Sequence, residues 1–198
     1  DFGIFEIGMD KKGEIDSLSK IIKPNIGVIT NISYAHVKNF RNIKQIALAK
    51  AEIIYNIKEN GYLVLNADDK FYNFHKKIAI QRRLKVLSFS MKKKSSEIYL
   101  NYIKQKKLKF KISININNIN KYFYVKSSSK NDIKNLLAAI AIISIFRDIT
   151  KLNNNFFYNS KIPQGRGDIS KVKLFKKNFY LIDESYNSNP LSLNSALL

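Results

Sequence analysis

The feature that most restricts how this chain can fold is the alternation of short β-branched runs with helical patterns between residues 26 and 89. Ile26–Ile32 (IGVITNI), Gly61–Asn66 (GYLVLN) and Leu84–Phe89 read as strands, apolar enough to be buried on both faces. Asn42–Ile57 and residues 68–81 carry helical spacing between them. Strands that alternate with helices specify βαβ units, hence a parallel sheet covered by helices. The apolar run Phe2–Ile7 is expected to add another strand, and Gly13–Ile22 a helix stopped by Pro24.

Beyond residue 90 the pattern changes. Glu97–Val125 holds three stretches, EIYLNYI, LKFKISINI and KYFYV, that alternate apolar with polar residues as an antiparallel sheet with one wet face does. Asn131–Phe146 reads as a buried helix, Asn178–Asp183 as a strand, and Pro190–Leu198 as the start of a helix with proline in its first turn. The expected fold class is α/β, a mostly parallel sheet flanked by helices with a small antiparallel sub-sheet. The chain of 198 residues holds one domain plus a piece of another, and the border is expected between 1–179 and 180–198.

Composition narrows the chemistry. The chain has no cysteine, which excludes disulfides, thiolate metal sites and a cysteine nucleophile. No apolar run approaches the ~18 residues of a membrane span. The opening DFGIFEIGMD lacks the basic region of a secretory signal. It also lacks an initiator methionine, and the closing NSALL stops inside a helical pattern, so both ends are expected to be cuts in a longer chain.

The net charge is +20, from 35 Lys+Arg against 15 Asp+Glu. Two readings stand. The heavy use of Lys, Asn and Ile, all with AT-rich codons, fits compositional drift that leaves solvated lysine faces. Alternatively the segment 92–111, KKKSSEIYLNYIKQKKLKFK, is a basic module whose interleaved aromatics stack on nucleic-acid bases.

The candidate chemistry begins on the helix Asn42–Ile57. At ~100° per residue, Ile43, Ile46, Ala47, Ile53, Ile54 and Ile57 share one face, with Lys50 near its middle and Glu52 opposite. An unpaired ammonium on a core-facing stripe costs several kcal/mol or shifts its pKa; the alternative is that Lys50 snorkels its stem out to water. Glu6 stands at the end of the first expected strand, and His36 just beyond the second, after Thr30 and Asn31. Ligands bind outside the carboxyl ends of parallel strands, so a carboxylate, an imidazole and this lysine would converge at one edge. A carboxylate and an imidazole suit a divalent metal. Singly, Glu6 could equally cap a helix and His36 be structural.

The ordered set of EIG with GEI (Glu6 to Ile15), KPNIGVITNI followed by His36, IALAKAEI, NADD, NLLAAIA (Asn135–Ala141), GRGD (Gly165–Asp168) and IDESYNSNP (Ile182–Pro190) resembles the central domain of the Mur ligases. These are ATP-dependent amino-acid ligases of peptidoglycan synthesis, and the resemblance runs over nearly the whole chain. The string around Tyr186 is most similar to the branch that joins D-alanyl-D-alanine to UDP-N-acetylmuramoyl-tripeptide. Other Mur ligases and folylpolyglutamate synthases are the near alternatives.

The resemblance implies that Lys50 is carbamylated by CO2 and that this carbamate, Glu6 and His36 hold Mg2+. It implies that Asn31 lies near the ATP phosphates, Asn135 contacts adenine, Arg166 contacts the phosphates, and Glu184 lies near the nucleotide. Tyr186, Asn187 and Asn189 match a hinge to the C-terminal domain. It further implies a cytoplasmic monomeric enzyme with no nucleic-acid partner. Departures are Glu184 for the usual Asp, Asp132 for Asn, Asn131 for His, Ala51 for Gly and Arg41 for Gly. No G-x-x-G-K-[ST] phosphate loop occurs in these residues; in the family it precedes the position of Glu6.

Overall fold

The computed structural model describes residues 1–33, 39–107, 109–160, 165, 168–183 and 185. They form two compact units, Asp1–Asn159 and Ser160–Leu198. A division after residue 179 falls within a strand of the second.

The first unit contains one six-stranded sheet in the order β1-β2-β3-β4-β5-β6. Its parallel half comprises β1 (Ile26–Ile29), β2 (Tyr62–Asn66) and β3 (Lys85–Ser90). These are linked by α2 (Ile43–Asn56) and α3 (Tyr72–Gln81), with α1 (Glu14–Ile22) preceding β1. β4 (Ile98–Lys106) joins β3 in parallel, but only at Phe89↔Ile98 and Ser90↔Tyr99. β4 therefore starts level with the end of β3 and runs on past the carboxyl edge of the parallel strands. β5 (Lys109–Ile116) and β6 (Ile119–Val125) continue from it as an antiparallel ribbon.

Alternation along each strand feeds two cores. Leu63 and Leu65 of β2 pack with Ile46, Ile54 and Ile57 on the face covered by α1–α3. Val64 points the other way, into a cluster with Phe89, Ile98, Ile114 and Phe123 beneath α4 (Lys130–Ser144). Two helix starts show local sequence at work. Asn42 caps α2 by accepting from Gln45 N at 3.1 Å. Ser129 caps α4 by accepting from Asp132 N at 3.1 Å, while Asp132 Oδ2 accepts from Ser129 Oγ at 2.7 Å. Asp132, which departs from the family pattern, thus serves the helix terminus.

The expected strand Phe2–Ile7 is not formed. An apolar run signals burial, but a strand also needs a partner with free ladder groups; these residues pair with no strand, and Phe2, Ile4 and Phe5 stand 65–96% exposed. Phe2 does meet Phe146 edge-on, with centroids 4.8 Å apart. Glu52 stands opposite the main apolar stripe of α2, as its helical position predicts. There it is half-buried and accepts from Gly13 N at 2.9 Å and Asp16 N at 3.1 Å, capping α1 from across the fold. Gly13 takes φ 92° there, a left-handed conformation that favours glycine.

The second unit holds a hairpin of β7 (Asp168–Leu174) and β8 (Lys177–Asp183), paired over their full length. β7 was not legible as a strand. Its turn, Phe175 and Lys176, takes φ 48° and 61° without the Asn-Gly signature of such turns.

Candidate functional site

The carboxyl ends of β1, β2 and β3 are tied together by the NADD segment, which begins on the last residue of β2. Asn66, buried, donates from Nδ2 to Thr30 O at 3.1 Å. Asp69 Oδ2 accepts from Ile32 N at 2.7 Å, and its Oδ1 from Phe71 N at 2.8 Å. Asp68 reaches the other way, accepting from Ser90 Oγ at 2.6 Å and Met91 N at 2.7 Å. Two adjacent carboxylates thus fix the loops on both sides of β2.

Lys50 enters this edge from α2, where burial of Ile46, Ala47 and Ile54 fixes the helix rotation. It is half-buried, and its ammonium donates to Asn31 O at 2.9 Å. The Asn31–Ile32 peptide is therefore held at both poles, its carbonyl by Lys50 and its N–H by Asp69. Burial lowers the Lys50 pKa below the ordinary lysine value, and the nearby Asp69 carboxylate opposes that shift. Lys50 accordingly satisfies both sequence readings in part: it reaches the wet edge, yet desolvation favours its neutral amine.

Three further groups were not singled out in the sequence. His75 of α3 is buried and donates from Nε2 to Ala47 O at 3.0 Å, one helical turn before Lys50. Burial pushes its pKa down, against the Ala47 hydrogen bond. Lys93 donates to Ala67 O at 2.6 Å. Lys134 of α4 has its pKa lowered by burial and by Lys130, with Asp68 and Asp69 acting against it. The available signal was Asp68-Asp69 itself, two carboxylates directly after a buried strand.

The chain matches the family model described as the Mur ligase middle domain over residues 1–143. The chain belongs to this family. Similar proteins include the UDP-N-acetylmuramoyl-tripeptide--D-alanyl-D-alanine ligases of Rickettsia prowazekii, 30% identical over all of this chain and 43% of that protein, and of Bacillus subtilis, 26% identical over all of this chain and 40% of that protein. Among solved structures, a MurF of Acinetobacter baumannii superposes with a TM-score of 0.79 at 22% identity, covering 95% of this chain and 40% of that one. The MurF of Thermotoga maritima in complex with ADP also gives 0.79, at 19% identity, over 97% and 42%. The chain spans about two-fifths of these relatives' length.

Within this Mur ligase middle domain, the structure brings Asn31 and Lys50 together at the carboxyl edge. Asn135 is exposed on α4. Glu6 is exposed on the unpaired N-terminal segment, so the expected strand does not carry it to the sheet edge. His36, Arg166, Glu184, Tyr186, Asn187 and Asn189 lie outside the described residues. Among the described residues no cluster of three or more His, Cys, Asp or Glu could hold a metal, and no helix is long and apolar enough to cross a membrane.

Proposed function

We propose that this chain is the central part of a cytoplasmic, monomeric ATP-dependent ligase that joins D-alanyl-D-alanine to UDP-N-acetylmuramoyl-tripeptide. The observation that carries the reading is Lys50, a half-buried lysine whose pKa burial lowers, delivered by a buried helix face to the carboxyl edge of a parallel sheet. The substrates follow from the names of relatives that match the whole chain. Residues 1–179 correspond to the ATP-binding domain and 180–198 to the start of the C-terminal domain.

The donor chemistry fits a carbamate. The Lys50 ammonium first gives up one proton; the neutral amine then attacks CO2, forming an N–C bond as one C–O π bond opens onto oxygen, and releases a second proton, so that a costly half-buried cation becomes an anionic ligand. Burial lowers the Lys50 pKa and so shifts its balance toward the neutral amine. Lys50 as carbamate, His36 and Glu6 would hold Mg2+, with His36 and Glu6 entering on family resemblance alone. When bound, the metal supplies positive charge beside the phosphates.

Asn31, Asn135, Arg166 and Glu184 serve ATP in this reading, and Tyr186, Asn187 and Asn189 the hinge. Ligation proceeds by phosphorylation of the tripeptide carboxylate to an acyl phosphate, attack by the dipeptide amine, and departure of phosphate. This chain's part is chiefly positional: the twice-tied Asn31–Ile32 peptide holds the Lys50 amine in place.

The test uses the full-length protein. Lys50→Ala is expected to abolish D-alanyl-D-alanine-dependent phosphate release, and added bicarbonate to leave it inactive. A variant that still ligates would sink the assignment.

A further inference from the structure

The antiparallel half of the sheet turns a second surface outward, opposite the core it shares with α4. Between residues 98 and 125 the chain has six lysines and no carboxylate. The register gathers four of them on one face: Lys104 stands directly opposite Lys111, and Lys106 opposite Lys109. Like charges in directly opposed positions destabilise a strand pair, and no acidic residue of these three strands offsets them. Tyrosine rings do so in part. Lys109 Nζ lies 3.7 Å from the Tyr124 centroid, and Lys111 Nζ lies 4.1 Å from that of Tyr122.

Beside the lysines runs a groove of about 480 Å3 lined by Asn101, Tyr102, Ser113, Asn120, Lys121 and Tyr122. Its shape follows from the register. Tyr102 pairs with Ser113, and Ser113 with Tyr122. The two tyrosines therefore spring from positions two strand spacings apart, about 10 Å, with a small residue between them. A planar ring stacked on both sides needs about 7 Å between its neighbours. The register shift between Leu100 and Tyr102 adds Asn101 to this face. Its amide donates to Asn120 Oδ1 at 3.0 Å and lies 3.4 Å from Ser113 Oγ, so amides and a hydroxyl form the floor.

We infer that this face binds single-stranded nucleic acid, with bases stacking at Tyr102 and Tyr122 and phosphates on Lys104, Lys106, Lys109 and Lys111. Stackable rings, base-edge donors and acceptors, and a row of cations are the parts such a ligand requires. The lysines occupy two successive cross-strand levels beside the groove, which suits a chain of phosphates better than a single nucleotide. The groove lining holds no aliphatic side chain to enter a lipid interface. In sequence the segment 92–111 reads either as solvated lysine faces or as a basic nucleic-acid module; pairing of β4 with β5 concentrates the charge on one face. The inference is independent of the ligase reading, because none of these residues belongs to the Lys50 site.

Fluorescence anisotropy of a labelled oligothymidylate of about 20 nucleotides with the full-length protein tests it, at about 0.15 M salt. Expected is saturable binding whose log–log salt slope is near −3, about 0.7 for each of four lysines. The Tyr102→Ala/Tyr122→Ala protein should bind about 10-fold more weakly with an unchanged slope. Lys104→Ala/Lys111→Ala should reduce the slope by about 1.4. Circular dichroism melts confirm that each variant folds; should the tyrosine pair not fold, Tyr102→Leu alone should still weaken binding.

Four results would overturn the proposal: no saturable binding; equal affinity of the tyrosine variants, which leaves only general attraction to polyanions; displacement by ADP, which assigns the oligonucleotide to the catalytic nucleotide site; or binding to phosphatidylserine vesicles in place of the oligonucleotide.

Discussion

Asp69 and His75 act on Lys50 without being recognisable as its partners in sequence. Asp69 does so through backbone: it holds the N–H of the peptide whose carbonyl receives the Lys50 ammonium. His75 fastens the preceding turn of α2 at Ala47. Because burial depresses the His75 pKa below its ordinary 6.5, the folded state resists the proton that the unfolded state accepts. Stability from this group is therefore complete above pH 6.5 and is lost as pH falls from there toward the depressed folded value. Urea denaturation at stepped pH should show that fall, and His75→Gln should flatten it; an identical slope in the variant would remove His75 as its source. Lys50 was legible because a cation on an apolar stripe breaks a pattern. Asp69 and His75 break none, and their roles exist only once β1, β2 and α3 are adjacent.

Helices and strands were largely readable from periodicity, and the failures share a cause. Phe2–Ile7 has the composition of a strand and no ladder, while β7, DISKVKL, has a ladder though four of its seven residues are polar or charged. Pairing depends on a neighbour, which local pattern does not contain. Glu52 makes the same point for helices. Helical geometry placed it opposite the main apolar stripe correctly, but could not show that α1 starts there. Its carboxylate satisfies N–H groups at the positive end of α1, where a cap contributes about 1 kcal/mol. Glu52→Ala is expected to cost about 1–2 kcal/mol and to accelerate amide exchange in α1 relative to α4. Unchanged α1 protection would show that packing of Ile15 alone holds the helix start.

The chain carries +20 with a fold whose class was evident before its surface was. Charge density on a face is a product of register, so composition could report the excess and not its location. Self-repulsion of this size should be relieved by salt. Raising sodium chloride from about 0.01 to about 1 M shortens the screening length from about 30 to about 3 Å, and the thermal midpoint of the chain is expected to rise. A falling midpoint would mean that attractive pairs such as Lys20–Asp16 outweigh the repulsion. One further property follows from the offset between β3 and β4, which share only the pairs Phe89↔Ile98 and Ser90↔Tyr99. In mechanical terms the sheet is a plate with a cantilever, joined along a short seam. Bending compliance concentrates where the fewest ladder bonds cross. A load borne on the ribbon is thus transmitted at Ser90, whose hydroxyl is already fastened to Asp68 at the edge of the plate.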